Sequence, residues 1–181
     1  MDRDGRASSR PRQERRPLYT PEERRRRDAS PWTLVQGVLA PVQFLICIAS
    51  AALILRYLAT GEGYGIATAS IILKTAALLA IMVTGSIWEK EVFGVWLFAP
   101  PFFWEDVVSF LVIGLHGAYV AALTTGALSP SAQMGVALAA YAAYAVNASQ
   151  FLLKLRAARL GAQAAGDRDH EPARPFAGAA S

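Results

Sequence analysis

Four long apolar runs dominate the chain, over residues 32–58, 66–87, 107–125 and 131–153. Each is about as long as the roughly 20 residues that an α-helix needs to cross a hydrocarbon core, and none shows the two-residue alternation of a half-buried strand. Polar residues inside the runs recur at helical spacing. Gln36, Gln43, Cys47 and Ser50 line one face of the first run. Glu105, Ser109, Val112 and His116 line one face of the third, with Tyr119 a turn further on. Asn147, Gln150 and Lys154 stand nearly in line in the fourth with Tyr144 beside them, and the second carries Lys74. Polar groups in lipid are expensive, so these faces are expected to turn inward. The pattern predicts an all-α fold, an integral-membrane four-helix bundle, with no internal repeat.

Start and stop signals bound the spans. Ser30-Pro31 and Ser129-Pro130 each set a capping serine before a proline suited to the first helical turn. Upstream, Thr20, Pro21 and Glu23 have the spacing of a capping box and predict a short basic helix on the membrane surface. Gly61, Gly63 and Gly65 punctuate the first connection. Between the second and third spans, WEKEVFGVWLFAPPFFWED (residues 88–106) holds three of the four tryptophans, the acids Glu89, Glu91, Glu105 and Asp106, and the helix-breaking pair Pro100 and Pro101. Its prolines make it a loop and its tryptophans make it interfacial. Residues 1–18 and those after Leu160 lack apolar periodicity and have the composition of disordered tails. The expected organisation is therefore a basic tail over 1–18, a membrane domain over 19–160 and a second tail over 161–181, where His170 has no assigned role. The first apolar run starts too late, and runs too long, for a cleaved secretory signal.

Composition narrows the chemistry. With 181 residues, 54% of them hydrophobic, the chain fits one membrane domain. Cys47 is the only cysteine, which excludes an intramolecular disulfide and a cysteine zinc cluster, and His116 and His170 are too few for a histidine metal site. The net charge of +4 is unevenly spread. Ten arginines precede Trp32 and LKLRAAR (residues 153–159) is also basic, while the connections after the first and third spans hold no Lys or Arg. The positive-inside rule then places both termini and the central loop in the cytoplasm. The four arginines at 24–27, beside a span, are read as meeting anionic lipid rather than nucleic acid.

That orientation gathers Gln36, Gln43, Glu89, Glu105, Asp106, Asn147 and Gln150 in the cytoplasmic half, around one prospective pocket. Each has a plainer reading alone. Tryptophans anchor helix ends, amides in spans act as packing glue, His116 near the midplane bonds between helices, and Lys74, in the other half, snorkels outward or meets a helix-end carbonyl. Four acids in one short interfacial loop fit none of these readings, so the chemistry is placed on them.

In chain order, YTPEERRRRDASPWTLVQGVLAPVQF, LRYLATGEGY, VTGSIWEKEVFG, LFAPPFFWEDVVS and AAYAAYAVNASQFLLKLRAARL resemble the vinyl bacteriochlorophyllide hydratase family of bacteriochlorophyll biosynthesis, over residues 19–160. The resemblance implies addition of water to the C3-vinyl group of a chlorophyllide-type tetrapyrrole, giving a 1-hydroxyethyl group, in the inner or intracytoplasmic membrane of a phototrophic bacterium. It implies no cofactor, since magnesium enters only as part of the substrate, and as partners the tetrapyrrole, the bilayer and other bacteriochlorophyll-synthesis enzymes.

Such a hydration needs a proton donor, a positioned water and a flat apolar slot. Glu105, which opens the third span on the face of Ser109 and His116, is the first choice as donor, with Asp106 or Glu89 orienting water or taking the second proton. Phe102, Phe103, Trp88, Trp96 and Trp104 are expected to form the slot. Gln43, Asn147 and Gln150 are expected to bond the ring carbonyls or the water, and His116 to ligate the substrate's magnesium axially. Two rival functions fit the same four spans: a non-catalytic four-span pigment-binding or assembly protein, and a small multidrug-type transporter. The second would call for a carboxylate in the first span, where this chain has glutamines.

Overall fold

The computed structural model describes residues 18–169, and the surroundings of side chains as far as Leu160. The expectations for residues 1–17, and for His170 and the residues after it, lie outside the described residues. Five helices follow one another: α1 (Pro21–Ala29), α2 (Pro31–Thr60), α3 (Tyr64–Phe93), α4 (Phe103–Thr125) and α5 (Pro130–Asp169). The last four are long and apolar enough to cross a membrane. They leave Leu34, Leu45, Leu152 and Leu153 exposed, a surface that lipid accepts and water does not. The fold is all-α, and the protein is a membrane protein.

Local signals act where the sequence puts them. The Thr20 amide donates to Glu23 Oε2 at 2.7 Å and the Glu23 amide to Thr20 Oγ1 at 3.2 Å, closing the capping box. Ser30 and Ser129 accept from the amides of Trp32 and Ala132, each at 3.3 Å. Gly94 ends α3 at φ +81, a left-handed conformation open to glycine at little cost. One boundary differs from expectation. α5 continues to Asp169, past Leu160, because the run AARLGAQAAG is mostly residues that extend a helix cheaply once it has started.

α2 packs along α3 and α4 along α5, whereas α3 and α4 touch sparsely. Ile54, Ile71, Val112, Tyr119, Met134 and Tyr141 fill the centre. Polar bonds reinforce this packing: Ser50 bonds Ser70 of α3 and, joining the two pairs, Tyr141 of α5, at 2.7 Å each, and Gln36 donates to Thr84 Oγ1 of α3 at 2.7 Å. Lys74 does not snorkel. Its side chain is fully buried, with the ammonium 3.6 Å from the centre of the Tyr144 ring. At the loop end α1 folds onto α3. There Ser30 Oγ donates to Glu91 Oε2 at 2.5 Å, Trp88 Nε1 donates to Thr33 Oγ1 at 2.9 Å, and Tyr19 stacks on Phe93.

Candidate active site

The loop from Gly94 to Phe102 folds back over the ends of α3 and α4 and carries two consecutive backbone donors. The Phe98 amide donates to Asp106 Oδ2 at 2.6 Å and the Ala99 amide to Glu89 Oε2 at 3.1 Å. Phe98 is the one described non-glycine residue with positive φ, at +60, a conformation that costs such a residue on the order of 1–2 kcal/mol. Successive backbone N–H groups turned toward anionic acceptors in this way act as an anion-binding nest. Here the nest holds two carboxyl groups, one from the last turns of α3 and one from the first turn of α4. Both are buried, Glu89 at 6% and Asp106 at 5% exposure, and each lies close enough to bear on the other's ionisation. Burial pushes both carboxyl groups above their ordinary values, with the Ala99 and Phe98 amides pulling the other way, so the pair is suited to hold a proton beside the aromatic wall.

Glu105 is next in sequence and differently placed. It forms an ion pair with Lys154 of α5, whose ammonium also donates to the Pro101 carbonyl and lies 5.1 Å from the Phe102 ring centre. One helical turn further along α4, Ser109 accepts from Asn147 Nδ2 at 2.7 Å. The α5 stripe of Asn147, Gln150 and Lys154 therefore runs against the α4 stripe of Ser109 and Glu105. Three acceptors along this seam, Glu105 Oε2, Asn147 Oδ1 and Gln150 Oε1, are buried without a donor among the described residues. Buried acceptors left unpaired cost about 1–3 kcal/mol each, so the seam is built to receive O–H or N–H groups from something else.

The wall beside the acids is aromatic. Phe102, 2% exposed, makes edge contacts with Trp88 and stacks on Phe151, and Phe93 and Tyr19 complete the group. Thus Glu89, Glu105, Asp106, Trp88, Asn147 and Gln150 are brought to one end of the bundle. Phe103 and Trp104 are not in the wall. They point outward at 44% and 69% exposure, with Trp96 also exposed, in the manner of interfacial anchors.

Two further expected contacts lie deeper. In the amide orientation that satisfies its neighbours, Gln43 accepts from Lys74 Nζ at 3.0 Å, away from the acids. His116 donates from Nδ1 to the Val112 carbonyl at 2.8 Å and stacks on Tyr141, which leaves Nε2 as an unpaired acceptor. It borders an apolar cavity of about 380 Å³ between α3 and α4, lined also by Thr75, Leu78, Ile113 and Val120. Sequence reasoning missed Phe98 and Ala99, which act through backbone amides and leave no residue-type signal. It saw Lys154 only as a member of a stripe. Among the described residues no group of three or more His, Cys, Asp or Glu is placed to hold a metal ion.

No solved structure matches this chain. Its relatives are known by sequence. A protein named 2-vinyl bacteriochlorophyllide hydratase from Cereibacter sphaeroides is 65% identical over 150 residues, covering 83% of this chain and 93% of that protein. One of the same name from Rhodobacter capsulatus is 64% identical over 148 residues, covering 82% and 86%. A family model described as 2-vinyl bacteriochlorophyllide hydratase matches residues 19–157, which takes in the nest, the seam and the aromatic wall, and the chain belongs to that family.

Proposed function

We propose that this chain is a hydro-lyase that adds water to the vinyl group of a bacteriochlorophyllide-type tetrapyrrole, and that the proton comes from the Glu89–Asp106 pair. The observation that carries the assignment is the nest: two buried carboxyl groups on consecutive amides at the edge of an aromatic wall, both raised by burial and so suited to hold one proton between them. Glu105, ranked first from sequence, is already the anion of an ion pair with Lys154. It suits a different task, accepting a proton.

The shared proton passes to the terminal vinyl carbon, whose π electrons form the new C–H bond. The carbon attached to the ring becomes a cation that the macrocycle conjugates. A water donating to Glu105 Oε2 and to one of the amide oxygens, Asn147 Oδ1 or Gln150 Oε1, attacks it, forming the C–O bond, and the water's surplus proton passes to Glu105. That proton then returns to the Glu89–Asp106 pair, whose Asp106 is next to Glu105 on α4. Conjugation supplies the stabilisation that a metal or redox group would otherwise give, so the reading calls for no resident cofactor. The substrate's magnesium is part of the substrate, and the unpaired Nε2 of His116 is the nitrogen suited to ligate it.

The charge distribution supports an orientation with both termini and the nest on the cytoplasmic side of a bacterial inner or intracytoplasmic membrane. Membranes containing the protein, incubated with the vinyl substrate in oxygen-18 water, are expected to yield a hydroxyethyl product carrying the label. A bound but unchanged pigment would overturn the reading.

A further inference from the structure

The mechanism leaves one buried charge unused. Lys74 is 0% exposed at the centre of the bundle, and its ammonium meets the π face of Tyr144 at 3.6 Å and the Gln43 amide oxygen at 3.0 Å. Both are contacts that suit a cation. Yet among the described residues the ion pairs are Arg27 with Asp28 and Lys154 with Glu105, and no carboxylate pairs with Lys74. A buried ammonium without an anion is costly, and counter-ions to a ligand are among the roles for which a bundle keeps such a group. Thr75 and Leu78, beside it on α3, line the apolar cavity at the sparse α3–α4 seam.

Position along α3 sets a length. Lys74 and Glu89 are fifteen residues apart on that helix, about 22 Å along its axis. The Lys74 side chain shortens the gap by reaching toward the level of Leu78, whose amide shares the Gln43 oxygen with the ammonium. The remaining span is one that a macrocycle with a carboxylate arm can bridge, with its vinyl group at the nest and its carboxylate at the ammonium.

We propose that Lys74, positioned by Gln43 and Tyr144, binds the free carboxylate of the tetrapyrrole, so that the protein selects the acid over its esters and sets which rim of the ring faces the acids. The proposal rests on the hydratase reading for the identity of the ligand. The site is a binding site and takes no part in proton transfer.

The test compares the vinyl chlorophyllide free acid with its methyl ester on the full-length protein in membranes. Affinity is read by the shift of the pigment's absorption and turnover by product formation. The wild type is expected to bind the acid at least tenfold more tightly, with the preference appearing in KM rather than kcat. Lys74→Met is expected to bring the ratio of ester to acid affinity close to one, and Lys74→Arg to keep it well above one. Equal affinity of the wild type for acid and ester overturns the proposal without any variant. A preference that survives intact in Lys74→Met also overturns it and leaves the lysine a structural role. If both pigments bind with the expected preference and neither is hydrated, the hydratase reading fails while the Lys74 site stands.

Discussion

Replacing Asp106 by Asn tests the proton donor with little steric change. The Asn oxygen can still accept from the Phe98 amide, now at 2.6 Å from Asp106 Oδ2, so the loop keeps its anchor while the carboxyl proton is lost. General acid catalysis contributes about 100-fold to 10,000-fold, or about 3–5 kcal/mol of barrier. Glu89 remains on the Ala99 amide in this variant and retains a carboxyl group, so the single change should fall near the low end. Asp106→Asn combined with Glu89→Gln should fall near the high end, with chlorin affinity changed little in either.

The discriminating assay is hydrogen exchange at the terminal vinyl carbon in heavy water. A deuteron adds there, and loss of a proton from the resulting methyl group returns a deuterated vinyl group without net hydration. Asp106→Asn should slow exchange and hydration by the same factor. Glu105→Gln should slow hydration by about tenfold or more and leave exchange running, because it removes the acceptor for the water and not the donor to carbon. Equal loss of exchange and hydration in Glu105→Gln, with Asp106→Asn near normal, would restore Glu105 as the acid and refute the assignment made from the nest.

Phe98→Pro should abolish turnover while Phe98→Gly retains most of it, since proline has neither the amide nor access to φ +60 and glycine has both; parallel kinetics and yields of folded protein decide this. Trp104→Leu should alter turnover by less than a few-fold, because the ring is exposed away from the wall, and a large loss of kcat would place it in the slot. Ser30→Ala should lower stability by about 1 kcal/mol through loss of the α2 cap and of the bond to Glu91, read as a drop in Tm in detergent with kcat unchanged.

The four spans were legible in the sequence because lipid imposes a simple rule: a crossing segment must be helical, apolar and about 20 residues long. Caps at Thr20, Ser30 and Ser129 were legible too, since capping depends on neighbours two or three residues away. The polar stripes on α4 and α5 followed from helical periodicity alone. Membership of the hydratase family was legible in long phrases of sequence.

What periodicity does not carry is the partner of each stripe. That Lys154 meets Glu105, and that Gln43 meets Lys74 rather than the acids, depends on how the helices rotate against one another, which many residues set together. The outward turn of Phe103 and Trp104 was equally hidden, because an aromatic residue suits a pigment wall and a lipid headgroup about equally well. The nest was least legible of all. It is made from backbone amides at Phe98 and Ala99, and only the folded loop, held between the ends of α3 and α4, decides which way those amides point.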